Sequence, residues 1–183
     1  MSCLREMRLD DLFTFNPLVF DPFTEVYRIG FFMRHIAQWP ELAAASTAPD
    51  GRLVGFIFGK FLDGVKDNTQ QHGHVCALTV LSDYRRLGIA SLLMNYFAQM
   101  LDLKSAWYVD LYLRCSNSAA YNLYCALGYE MRRVLLDYYP GDPEENAYDM
   151  RMPLSIDVNQ LSLALASKEP VRLPLEDDSD DDY

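Results

Sequence analysis

The sequence predicts an α/β layered fold, a mixed central sheet flanked by helices, followed by a flexible acidic C-terminal tail. Three observations lead there. Strand-like and helix-like segments alternate along residues 1–154, an order that builds layers with helices crossing between strands. A stripe at helical spacing (Ile89, Leu92, Leu93, Tyr96, Phe97, Met100 and Leu101) is continuous enough to pack one long helix on a sheet. Residues 176–183 carry six acids and no base, a composition that cannot build a core.

In chain order, Leu4 to Leu9 alternates as a short strand does. Asp10 and Asp11 suit a helix N-cap ahead of Leu12, Phe13 and Phe15. After a turn at Asp21-Pro22, Ile29, Phe32, Met33 and Ile36 keep helical spacing up to Trp39-Pro40, because proline drives the residue before it out of the α region. Leu42–Thr47 and Leu53–Phe61 read as strands joined across the turn Pro49-Asp50-Gly51. A polar loop over 63–71 leads to a buried strand, His74–Val80, and then to the striped helix. Trp107–Leu113 is a strand, and Ser118–Leu127 a helix closed by Gly128 at the left-handed C-cap position. Met131–Tyr139 and Tyr148–Leu154 are the last strands, around a loop rich in Pro, Gly and Asp. Residues 155–183 form an extension: Val158, Leu161 and Leu165 offer one face of a short helix, and Pro170 and Pro174 lead into extended chain.

At 183 residues, the chain has room for one domain of about 150 residues plus that extension. Its 26 acids against 16 bases give −10, which disfavours nucleic-acid and anionic-membrane partners. Six of those acids lie in the tail, so 20 against 16 remain and the body is near −4. No apolar run approaches the roughly 20 residues of a membrane span, and the N-terminus lacks the pattern of a signal peptide. The four cysteines form no CxxC pair, so reduced thiols and a cytoplasmic setting are expected. His72, His74 and Cys76 share a strand face by period two, but three ligands along one strand seldom converge on an ion, and no metal is expected.

The strongest local signal runs Val80-Leu81-Ser82-Asp83-Tyr84-Arg85-Arg86-Leu87-Gly88-Ile89-Ala90. A strand ends, a turn carries two arginines, and Gly88 and Ala90 open the long helix. First-turn N–H groups have no partner inside a helix and can hold an anion such as a pyrophosphate. The segment has neither the GKS/GKT ending of a P-loop nor GxGxxG, which weakens ATPase and dinucleotide readings.

This arrangement resembles the GNAT acetyltransferase family, whose acyl-CoA signature Arg/Gln-x-x-Gly-x-Gly/Ala appears here as Arg85-x-x-Gly88-x-Ala90. The resemblance implies that the strand before the motif splays from its neighbour. It places Leu78, Thr79 and Val80 beside the thioester of acetyl-CoA, and Arg85, Arg86, Leu87, Gly88, Ile89 and Ala90 at its phosphates. Across residues 1 to about 155 the chain is also similar to N-terminal acetyltransferases of the NatB type. The segments that carry this are Phe20–Tyr27, Gln38–Glu41, His72–Val75, Arg85–Gly88, Ser116-Asn117, Leu127–Tyr129 and Ala147–Arg151. It departs from that type at Arg28, at Gly30, and at Cys76, where Thr is expected.

That similarity implies transfer of acetyl to N-terminal α-amines, with Met followed by Asp, Glu, Asn or Gln preferred. An α-amine has a reference pKa of about 7.7 to 8.0, so no strong base is needed to free its lone pair. The resemblance places Tyr124 at the leaving sulfur as acid or donor, with Asn117 orienting the reacting groups; both also belong to the acetyl-CoA site. It gives Glu25, Tyr27, Tyr138 and Tyr139 to the peptide, and His74 to its second side chain, since an imidazole can donate to a carboxylate or an amide oxygen. It also implies a large helical auxiliary subunit, ribosome association through it, and nascent N-termini as substrates; Phe31 and Phe32 are candidates for that interface. Two other readings remain open: a GNAT enzyme with a different amine acceptor, separable by a peptide panel, and a diverged non-catalytic binding subunit.

Overall fold

The computed structural model describes residues 2–19, 27–64, 70–164 and 170–172. Its strands are β1 (Cys3–Glu6), β2 (Ala43–Thr47), β3 (Leu53–Leu62), β4 (His72–Val80), β5 (Tyr108–Arg114), β6 (Glu130–Tyr139) and β7 (Glu145–Pro153). They form one sheet in the order β1-β2-β3-β4-β5-β7-β6, antiparallel except for β4 beside β5. The helices are α1 (Asn16–Val19), α2 (Ile29–Gln38), α3 (Ile89–Leu103), α4 (Ser118–Ala126) and α5 (Leu161–Ala164). Among the described residues no helix is long and apolar enough to cross a membrane.

Each connection has a local cause. The β2–β3 turn works because Gly51 takes φ +85 and the Asp50 carboxylate accepts from Arg52 N at 3.0 Å. Parallel strands need a crossover, and α3 supplies it between β4 and β5. The stripe seen in the sequence buries Leu93, Phe97 and Leu101 on the sheet. That packing is close: a Cβ on Gly73 would lie 2.1 Å from Leu101. The opposite face carries α1 and α2 over an aromatic cluster in which Phe15 meets Phe32 edge-on at 4.8 Å, above Phe56 and Phe58.

The structure corrects several boundaries. The first strand stops at Glu6, and Asp11 is not an N-cap. It sits in the turn Leu9–Phe13, where its carboxylate accepts from Arg8 N at 2.8 Å and pairs with Arg5. Leu42 closes the helical turn Pro40–Leu42 and does not open β2. Phe32 is 2% exposed and belongs to the core, so it is no interface residue, whereas Phe31 is half-buried and stacks on Tyr27. The helix in the extension starts later than expected, because Asp157 accepts from Leu161 N and Ser162 N; Val158, 84% exposed, shares no apolar face with it. Val171 returns to the sheet edge, exchanging hydrogen bonds of 2.9 Å with Val134 O and Leu136 N of β6. Leu165, Pro174 and the acidic residues 176–183 lie outside the described residues.

One irregularity shapes the site. β4 and β5 pair only over His72–Val75 and Tyr108–Leu111, then separate. The departure coincides with a bulge, where β3 steps from Phe58 opposite Ala77 to Gly59 opposite Val75 and leaves Cys76 unmatched. An extra residue bends its strand and re-aims it. The sheet therefore splits, and the second half of β4 turns a row of backbone groups toward the gap.

Candidate active site

The loop from Arg85 to Gly88 has the shape of an anion cradle. Gly88 precedes α3 at φ 80 and Arg86 sits at φ 63, so two left-handed residues turn successive N–H groups toward one side. A Cβ on Gly88 would meet nothing within 4 Å, so the glycine answers to its dihedral and the space beside it is open. The helix continues through Leu92 N donating to Gly88 O, which leaves the N–H groups of Ile89, Ala90 and Ser91 for a ligand. Arg85 is tied back, its Nε donating to Val80 O at 3.0 Å. Arg86 and Leu87 are exposed. The residues expected to hold acetyl-CoA phosphates are thus contiguous.

Beside the cradle, Leu78, Thr79 and Val80 belong to the split half of β4. Their side chains face opposite ways. Leu78 and Val80 join the core beneath α3, whereas the Thr79 hydroxyl donates to Leu18 O at 3.1 Å and anchors α1. Tyr124 of α4 lies in the same core as Val80 and Ile89. Burial alone pushes its hydroxyl well above the ordinary value of 10. It is therefore a neutral donor at physiological pH and unsuited to act as a base. Asn117 caps α4, its Oδ1 accepting from Ala120 N at 3.1 Å, which leaves its amide N–H₂ without a partner among the described residues.

The other face of the sheet carries the expected peptide residues. His74 Nδ1 meets Asp110 Oδ1 at 2.8 Å. Its ring contacts Tyr112 at 4.9 Å, Tyr112 contacts Tyr138 at 4.9 Å, and Tyr138 contacts Tyr139 at 5.0 Å. Three predicted residues thus form one wall, joined by Tyr112. Tyr139 is buried under the Arg114 guanidinium, so Tyr138 is the member of the pair that reaches solvent. Tyr27 stacks on Phe31 at 4.2 Å in the cluster that also holds Cys76. Burial pushes the Cys76 thiol up to about 12, which makes it a packing group and not a nucleophile. Glu25 lies outside the described residues.

Beneath the wall is a charged layer that sequence reasoning missed. Asp110, Asp149 and Arg151 are all buried. Asp149 receives Arg133 Nε at 2.8 Å, while Arg151 reaches Asp149 at 3.8 Å and Asp110 at 3.9 Å and lies over the Tyr108 ring. Burial opposes the Asp110 charge, but His74, His72 and Arg151 outweigh it and hold the carboxyl below its usual range. His72 turns its Nδ1 to Gln70 O at 2.7 Å; burial lowers its pKa and keeps it neutral. A signal was available: an acid inside Tyr108-Val109-Asp110-Leu111-Tyr112, on a strand covered on both faces, requires buried partners.

Comparison with known proteins identifies the family. Residues 9–129 match the model of the acetyltransferase (GNAT) family. The chain is 38% identical over 167 residues to the N-terminal acetyltransferase B complex catalytic subunit naa20 of Schizosaccharomyces pombe, covering 89% of this chain and 91% of that one. Among solved structures, Chaetomium thermophilum Naa20 in complex with a bisubstrate analogue matches with a TM-score of 0.84 and 33% identity, over 92% of this chain and 95% of that one. A NatB acetyltransferase complex bound to CoA and MES matches at 0.74 and 32%, over 83% and 99%. On these matches the chain belongs to the GNAT acetyltransferase family.

Proposed function

We propose that this N-terminal acetyltransferase is the catalytic subunit of a NatB-type enzyme, acting on polypeptides that begin with Met followed by Asp, Glu, Asn or Gln. One observation carries the reading. The imidazole of His74, fixed by Asp110, stands in an aromatic wall with Tyr112 and Tyr138 on the sheet face that also carries Tyr27. A fixed polar group among flat apolar rings suits a peptide whose first side chain is apolar and whose second is an acid or an amide. Glu25 completes the peptide site in this reading.

Acetyl-CoA supplies an activated thioester. The cradle from Arg85 to Ala90 holds its phosphates, and the backbone of Leu78, Thr79 and Val80 lines the gap for its pantetheine arm. The incoming α-amine, with a reference pKa of about 7.7 to 8.0, needs little help to lose a proton. As the C–N bond forms and the C–S bond breaks, the amine proton passes to solvent and the departing sulfur takes one. Tyr124, neutral through burial, donates to that sulfur, and the unpartnered amide of Asn117 orients the reacting carbonyl.

The relatives named for a NatB complex support an auxiliary helical subunit as partner, with ribosome contact and nascent chains in the cytoplasm following through it. Phe13 at 82% exposed, Ile29 at 54% and Met33 at 46% form an apolar patch at the Leu9–Phe13 turn and α2, suited to that subunit. The test is acetyl transfer to Met-Asp, Met-Asn, Met-Lys and Ser-Ala peptides and to an N-terminally blocked lysine peptide. The reading expects the first two to lead by tenfold or more and the blocked peptide to be inert. Equal rates on Ser-Ala, or lysine acetylation, would refute it.

A further inference from the structure

We propose that Asp110 is a positioning residue for substrate choice. It holds the Nδ1–H of His74 inward and turns Nε2 to the peptide, so one imidazole accepts from amide side chains when neutral and donates to carboxylates when protonated. This rests on the assignment of His74 to the second side chain.

The register supplies the pair. On adjacent parallel strands His74 lies beside Asp110, and the buried carboxylate can only accept, so Nδ1 at 2.8 Å carries the proton. Among the described residues nothing else competes at that distance. His72 Nε2 is 3.8 Å from the other carboxylate oxygen and its Nδ1 is committed to Gln70 O; Arg151 Nη2 is 3.9 Å away. Tyr112, edge-on at 4.9 Å, fixes the plane of the ring. The groups that face His74 are His72 and Cys76 on β4, Lys60 opposite it on β3, Asp110 and Tyr112 on β5, and Arg151 on β7. Among them Asp110 alone both carries negative charge and bonds the ring.

Neutral His74 then offers an Nε2 lone pair to the N–H₂ of Asn or Gln. Protonated, the same nitrogen donates a charge-assisted bond to Asp or Glu. Acceptance of both classes follows from one residue with two protonation states, and their ratio becomes a function of pH. Ionisation of the α-amine is common to both substrates and cancels in that ratio.

The experiment uses the full chain and compares kcat/KM for Met-Asp and Met-Asn peptides from pH 6 to 8.5, for the wild type and Asp110→Asn. The Met-Asp to Met-Asn ratio should fall by about fivefold or more as pH rises, from the greater strength of charge-assisted bonds. In Asp110→Asn, where the ring is no longer held by a carboxylate, the ratio should change less over that range, with Met-Asp hurt more than Met-Asn at neutrality. A flat wild-type ratio, or a variant that slows both peptides equally, would overturn the proposal. Should Asp110→Asn not fold, ¹⁵N spectra of the wild-type histidine side chains decide, since the chain has only His35, His72 and His74. A neutral His74 bearing its proton on Nε2 would overturn the proposal. Absence of any second-residue preference in the wild type would instead remove the reading of His74 beneath it.

Discussion

The two sides of the cleft are built on different principles. On the α3 side, the proposed binding groups belong to the backbone: strand edge, left-handed turn and helix N-terminus, set above an apolar core. On the other side, the proposed binding groups are side chains from β4, β5 and β6, held over charges buried between β5, β6 and β7. Backbone sites depend on a few residues that permit a conformation. Side-chain sites depend on pairs that only the folded sheet brings together. The two sides should therefore fail differently when broken.

Arg151→Met tests the charged side most severely. It takes one buried cation from a layer in which Asp110 keeps His74 and Asp149 keeps Arg133 and Arg132, and breaking a buried ionic group costs up to about 3–5 kcal/mol. Chemical denaturation should show that loss; a loss below about 1 kcal/mol would mean that the layer is not energetically connected. Next comes Tyr124→Phe on the α3 side, where removing a positioned proton donor should cut kcat about 100-fold with the KM for acetyl-CoA unchanged. Equal rates would take Tyr124 out of the chemistry. Because burial holds its hydroxyl above the ordinary value of 10, no loss of rate due to Tyr124 should appear below pH 10.

Gly88→Ala should follow, weakening acetyl-CoA about tenfold, since a left-handed conformation costs an alanine about 1–2 kcal/mol. The space around the new methyl is open, so thermal stability should fall less than binding does. The smallest effect is titration of His72. Its folded pKa lies below the reference of 6.5, so the unfolded state binds more protons under that value. The stabilisation it gives is complete above pH 6.5 and drains away as pH falls toward the folded value. His72→Gln should flatten the acid limb of the stability profile; an unchanged limb would assign the loss to other groups.

The same contrast explains what the sequence made legible. Gly88, Ala90 and the stripe from Ile89 to Leu101 lie within one local stretch, so spacing alone led to a helix over a strand end, and the structure agrees. Gly128 behaved likewise, at φ 91 after α4. Asp110, Tyr112 and Arg151 escaped notice because their partners lie 36 to 41 positions away in the chain, His74 for the first two and Asp110 for the last. Asp11 was misplaced because a carboxylate near a helix start can serve the third position as well as the cap, and Arg5 decided between them. The split of β4 from β5 was expected only by resemblance; a bulge at Cys76 leaves no local mark, since the thiol sits where any strand residue would.

The most direct test is His74→Ala, assayed on Met-Asp and Ser-Ala peptides with acetyl-CoA varied in the same experiment. If the two sides work as described, discrimination between the peptides collapses by tenfold or more while the KM for acetyl-CoA stays within twofold of wild type. Discrimination that survives the substitution, or a KM for acetyl-CoA that rises in step with its loss, would contradict the account.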